Sequence, residues 1–161
     1  MWSTGARVSE VLALTPASFV SDGSAIWVEL KTLRLRPGRP SRLSLERSPT
    51  RYVPIIDDIL KDRIHSFLYS GPFRREERIF AMARQTVNRH IHTLVEQVGG
   101  APFDITARTF RHSFAIHLLL HGRPLKYISE LLGHRAIEST EIYTNVLTIE
   151  GGHFLQGVDF H

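Results

Sequence analysis

Tyr143 closes the segment Glu130-Leu131-Leu132-Gly133-His134-Arg135-Ala136-Ile137-Glu138-Ser139-Thr140-Glu141-Ile142-Tyr143, in which His134 directly follows a glycine. Upstream, Arg111 lies in Thr109-Phe110-Arg111-His112-Ser113-Phe114-Ala115, and Arg7 lies in Thr4-Gly5-Ala6-Arg7-Val8-Ser9-Glu10. Two arginines, a histidine and a tyrosine suit one reaction class: attack by a phenol on a phosphodiester. The planar fork of arginine donates two parallel hydrogen bonds and keeps its charge. Two such clamps on the non-bridging oxygens stabilise the extra negative charge of a five-coordinate phosphoryl transition state. A tyrosine with a pKa of about 10 needs neighbouring positive charge or a base before it attacks phosphorus. A neutral imidazole at position 134 could hydrogen-bond a phosphate oxygen or take that proton. Singly, each residue has a blander reading: a solvated arginine, a helix-capping histidine, a packed tyrosine. Their joint occurrence in this order favours the chemical one.

The elements that must position these groups are legible from periodicity. Val8, Val11 and Leu12 recur at helical spacing over residues 8–14, ahead of Thr15-Pro16. Residues 25–35 and 51–55 read as extended, separated by the interruption Pro37-Gly38-Arg39-Pro40, and predict a small antiparallel sheet. Beyond them the pattern is helical: residues 56–69, then 86–98 up to Gly99-Gly100, then from about 106 or 108 to Leu120 before Gly122. Arg108 and Arg111 share a face of that third helix, whereas His112 sits about 100° further round it. Pro124 suits the first turn of a helix that ends at Gly133, and a last short helix is expected to carry Ile142 and Tyr143. Residues 147–161 read as an irregular tail.

Composition narrows the class. The 161 residues suffice for one domain with a real core, and 42% hydrophobic with 22% charged residues describes a globular chain rather than a disordered one. The absence of cysteine excludes disulfides, thiolate catalysis and cysteine–metal sites. No apolar run approaches the roughly 18 residues of a membrane span, and the N-terminus lacks the layout of a secretory signal, so a cytoplasmic location is the expectation. The net charge of +4 favours an anionic partner. Its distribution says more: Lys31, Arg34, Arg36, Arg39, Arg42, Arg47 and Arg51 face a single Glu46. Counterion release from nucleic acid would turn that run into salt-sensitive affinity, with Arg34, Arg36, Arg39 and Arg42 as candidate DNA contacts.

Taken together, the Arg7 segment, Lys31, the Arg111 segment, Leu132-Gly133-His134 and Glu141-Ile142-Tyr143 resemble the catalytic domain of tyrosine recombinases, the lambda-integrase and Xer family. The likeness runs from residue 4 to about residue 145. It implies a mainly α fold with a small antiparallel β-sheet (α+β), the catalytic-domain fold of DNA breaking–rejoining enzymes, over residues 1–146, with a C-terminal tail at 147–161. It implies that Arg7 and Arg111 grip phosphate, that Lys31 protonates the leaving 5′ oxygen, and that Tyr143 forms a 3′-phosphotyrosyl bond beside His134. The implied reaction uses no metal, cofactor or ATP. The implied partner is double-stranded DNA, held by four protomers of one or two kinds on paired sites, and no membrane is involved. The same chemistry serves integration, excision and the resolution of plasmid or chromosome multimers.

Two departures from the family pattern stand out. Arg108 occupies the place where the family has the histidine of His-x-x-Arg. Arginine binds phosphate but moves no proton near pH 7, which leaves that task to His134; His112, part of the ordinary Arg-His pair, is not expected to take it over. The second departure is that Arg7 lies near the start, without the family's N-terminal DNA-binding domain or leading helices, so weak stand-alone DNA binding is expected. The competing reading is a non-enzymatic helix-turn-helix, with residues 125–134 and 139–143 as its two limbs. That reading leaves Arg7, Arg111 and Lys31 unexplained. A type IB topoisomerase or an inactive recombinase remnant would share much of the residue set.

Overall fold

The computed structural model describes residues 1–21, 25–32 and 49–145. The first helix, α1, covers only Val8–Val11 rather than residues 8–14; Leu12 and Ala13 continue as a turn and Leu14 is irregular. The Leu14 carbonyl accepts from the Ile79 amide at 2.9 Å, and this bond draws the chain out of helix. A 3-10 turn at Pro16–Ser18 leads into β1, Phe19–Ser21, a strand absent from the sequence reading. Three residues are too few to show alternation. Then come β2, Ile26–Lys31, and β3, Thr50–Ile55.

The sheet is antiparallel in the order β1-β2-β3, with Phe19 opposite Val28 and Val28 opposite Val53. Successive strand residues point to opposite faces. Val28, Leu30, Val53 and Ile55 therefore share one buried face with Ala6 and Leu14. Among the described residues β3 is the outer strand, a position that accommodates Pro54, which lacks an amide to donate to the ladder.

Among the described residues, four longer helices and one short one follow. They are α2 at Asp58–Ser70, α3 at Arg84–Gln97, α4 at Ala107–Leu120, α5 at Leu125–Leu132 and α6 at Glu138–Glu141. Asp57 caps α2 by accepting the Leu60 amide at 2.7 Å, and Asn88 on α3 accepts the Ala107 amide that opens α4, at 3.1 Å. Phe114, Ala115 and Leu119 of α4 pack on Ile128 and Leu132 of α5 and on Tyr143 in a second core cluster. Leu131 packs against both clusters and so joins the sheet to the helices. Ile142 and Tyr143 lie in the turn after α6, not within it. Among the described residues no helix is long and apolar enough to cross a membrane.

Candidate active site

The C-terminus of α5 organises the site. Gly133 adopts φ 64°, the left-handed conformation that closes a helix most readily at glycine. Its amide bonds the Glu130 carbonyl at 2.9 Å, and the His134 amide bonds Ser129 at 3.0 Å, the paired pattern of a Schellman ending. The next three carbonyls have no helical partner. Each accepts from a different arginine: Leu131 from Arg51 Nε at 2.7 Å, Leu132 from Arg111 Nη2 at 2.7 Å, and Gly133 from Arg7 Nη2 at 3.4 Å. The partial negative charge at a helix C-terminus attracts such cations.

Glu10 offsets the repulsion among these guanidinium groups. Its side chain has no solvent exposure and lies 2.9 Å from Arg7 Nη1 and 2.7 Å from Arg51 Nη2. Burial pushes its carboxyl up, but the hydrogen bond and charge of Arg51, then those of Arg7, outweigh it and hold it below the usual value. Arg111 is buried, and its Nη1 also donates to the Gly5 carbonyl. Burial first, and then the neighbouring Arg7, push its guanidinium down to about 10, so it remains charged at neutral pH.

Tyr143 is buried by its packing on Phe114 and Leu132, yet it lines the open cleft. Burial raises its hydroxyl above the ordinary value, while Arg111, Arg108 and Arg7 pull in the other direction. The hydroxyl lies 2.7 Å from His112 Nδ1, and Arg108 Nε donates to His112 Nε2 at 3.0 Å. His112 is held neutral-favouring by burial and by the charges of Arg108 and Arg111. His134 Nδ1 lies 2.7 Å from the hydroxyl of Thr140, a fully buried residue of α6, so the ring is tied to the segment that presents Tyr143.

One cleft of about 360 Å³ is thus lined by Arg7, Arg108, Arg111, His134 and Tyr143, all expected from sequence. Lys31 is not brought to it: it ends β2 with a side chain 64% exposed, 4.0 Å from Glu29. Arg34, Arg36, Arg39, Arg42 and the residues 147–161 lie outside the described residues. His112, not counted among the site residues from sequence, also lines the cleft, with its ring between Arg108 and the tyrosine. The helical offset of about 100° from Arg111 is the offset that turns it toward Tyr143. Sequence reasoning also passed over Glu10, one helical turn from Arg7, and Arg51, which had counted only as part of a basic run. Arg84, the first residue of α3, lines the cleft too, with nothing in the sequence to single it out.

The sequence model of the phage integrase family matches residues 1–149. The chain belongs to that family. It is 33% identical over 156 residues to a probable site-specific recombinase in the afa region of Escherichia coli, covering 93% of this chain and 61% of the relative. It is 31% identical over 157 residues to the tyrosine recombinase XerC of Agrobacterium fabrum, covering 92% of this chain and 44% of that one. The chain therefore spans less than two thirds of these relatives. The fold matches that of the XerH site-specific recombinase in a post-cleavage complex with its palindromic difH substrate. The TM-score is 0.71 at 19% identity, over 97% of this chain and 43% of the other. A mainly α family fold with a small antiparallel sheet is thereby established, as expected from sequence.

Proposed function

We propose that this family member cuts and rejoins DNA site-specifically through Tyr143. The carrying observation is the convergence of Tyr143, Arg7, Arg111 and His134 on one cleft. The Tyr143 oxygen attacks the phosphorus of a backbone phosphodiester, forming a phosphotyrosyl bond to the 3′ side. The bond to the 5′ oxygen breaks, and that oxygen leaves as a hydroxyl after taking one proton. A hydroxyl from a second strand then attacks the phosphotyrosyl phosphorus, restores a phosphodiester and returns the proton to the tyrosine. One phosphoester bond is exchanged for another, so no external energy source is needed.

Arg7 and Arg111 have complementary positions for this work. Arg111 is fixed by two carbonyls and buried, so it supplies a preorganised charge at the cleft floor. Arg7 keeps a quarter of its side chain exposed and presents its remaining donors to a phosphate. His134, steadied by Thr140, is placed to donate to a non-bridging oxygen. Lys31 is assigned to the leaving oxygen on the strength of the resemblance, and the basic residues Arg34, Arg36, Arg39 and Arg42 to the DNA backbone. DNA as partner is supported by the XerH neighbour, whose structure holds its difH substrate; assembly as four protomers on two double-stranded sites is carried over from the family resemblance. Within residues 1–146 the chain acts as the catalytic domain.

The test is a nicked DNA substrate whose cleaved fragment diffuses away, followed by denaturation and a gel. A covalent protein–DNA adduct that vanishes in Tyr143→Phe supports the reading. Salt-sensitive binding with no adduct under any condition would favour a DNA-binding module or remnant instead.

A further inference from the structure

We propose that Arg108 and His112 act as a positioning pair that aims a neutral imidazole N–H at the nucleophile, a role that rests on Tyr143 being that nucleophile. A guanidinium has donors only. The nitrogen that receives Arg108 Nε–H at 3.0 Å, His112 Nε2, must therefore present its lone pair. A neutral imidazole carries one proton, so that proton is on Nδ1, 2.7 Å from the Tyr143 oxygen. His112 thus donates to the phenolic oxygen and does not accept from it. The tyrosine's own hydrogen is left to point into the cleft, toward the space where a phosphate and its attending water would sit.

Three consequences follow from this polarity. The His112 donor stabilises the phenolate more than the phenol, which partly offsets the effect of burying Tyr143. The two rings, with centroids 5.5 Å apart and planes tilted by 58°, hold the oxygen at one place on the cleft wall. Finally, Arg108 gains a definite task in the position where the family has a histidine: it selects the tautomer of its neighbour one turn further along α4. An imidazolium would have donors on both nitrogens and would lose the Arg108 bond, so the pair works with His112 neutral. His112 and Arg108 are positioning residues here, and the leaving proton of Tyr143 goes to solvent or a phosphate oxygen.

The experiment is nitrogen-15 NMR of the histidine side chains on the full chain, assigned with His112→Gln, near pH 7.5. The expected result is a protonated Nδ1 and an unprotonated Nε2 for His112. In Arg108→Met the proton should return mainly to Nε2; residue 108 is exposed, so the variant is expected to fold. A protonated Nε2 in the unaltered chain, with Nδ1 accepting from tyrosine, would overturn the proposal. Adduct kinetics give a second readout. Losing a hydrogen bond to a charged group should slow His112→Leu by about tenfold to a hundredfold and move its pH profile upward. His112→Gln, whose amide can still donate, should recover part of that loss. Equal rates and profiles for all three proteins would also overturn it. Absence of any adduct in the unaltered chain would sink the nucleophile reading instead, and the tautomer measurement distinguishes that failure from this one.

Discussion

Arg51 and Glu10 lie 41 positions apart and meet end-on, with Nη1 2.8 Å from Oε1 and Nη2 2.7 Å from Oε2. The pair ties β3 to α1, and Arg51 Nε extends the tie to the end of α5. Both side chains are nearly removed from solvent, at 11% and 0% exposure. Replacing Glu10 by Gln would leave Arg51 and Arg7 facing each other without a counter-charge. Breaking a buried pair from one side costs about 3–5 kcal/mol. Urea unfolding at neutral pH is expected to show a loss of that order. Because Arg7 also hangs on Glu10, its phosphate-gripping position should be lost as well.

The pH dependence of that contribution has a definite sign. Glu10 is held below its ordinary value of 4.5 in the folded chain. Its stabilising contribution is therefore fully present above that value and disappears as pH falls through the lower folded value. The stability gap between the unaltered chain and Glu10→Gln should be constant from pH 6 to 8 and close on acidification below about 4.5. A gap that persists unchanged in acid would mean that Glu10 acts through packing rather than charge.

Gly5 carries more weight than its size suggests. It has φ 60°, and a Cβ there would come within 2.6 Å of Phe114 and 2.9 Å of Leu132. Its carbonyl also receives Arg111 Nη1. Gly122 has a similar φ of 68° but open space around it, so it isolates the backbone term. Gly122→Ala should cost about 1–2 kcal/mol for the left-handed conformation alone. Gly5→Ala should cost clearly more in the same thermal melt and should also slow cleavage, because Arg111 would lose its seat. Equal losses at the two positions would refute the steric part.

Much of this site was legible in the linear chain, and the reasons differ by residue. Arg7, Arg111, His134 and Tyr143 carry a chemistry recognisable from residue type and order, and the helix ends at Leu120 and Gly133 follow from local rules. The sheet register was foreseeable only in outline, since β1 is too short to show a period and gains its strand character by pairing with β2. The contact of His112 with Tyr143 was not legible because helical geometry says which way a side chain leaves its own helix, not what another segment brings against it. Tyr143 arrives from 31 positions away. Arg51 and Glu10 were hidden for the same reason: their contact is a product of tertiary packing, and a basic run reads as a solvated surface until its partner is known.

The buried hydroxyl of Tyr143 predicts a pH-dependent rate. Burial raises it above the ordinary value of 10, against the opposing pull of Arg111, Arg108 and Arg7. At neutral pH only a small fraction is phenolate, and that fraction grows about tenfold per pH unit below the pKa. Single-turnover adduct formation should therefore rise steadily from pH 7 to 9. Arg111 stays charged through this window, since it is pushed down only to about 10. A flat profile would show that the proton is already gone before attack or that chemistry is not rate-limiting, and a saturating nicked substrate separates the two.

Lys31 supplies the sharpest remaining test, because it stands exposed at the end of β2 and outside the cleft lining. If it delivers the proton to the leaving 5′ oxygen, its removal should matter only where the leaving group needs one. A 5′-bridging sulfur in place of that oxygen leaves as a thiolate without protonation, since a thiol is a far stronger acid than an alcohol. Lys31→Ala is thus expected to lower adduct formation on ordinary DNA by the roughly 10²–10⁴-fold typical of a lost general acid. It should restore near-normal rates on the sulfur-substituted strand. Tyr143→Phe should be inactive on both, which marks the difference between a proton donor and a nucleophile. Equal impairment of Lys31→Ala on the two substrates would remove the lysine from the reaction and reduce it to a DNA contact beside the basic run that follows it.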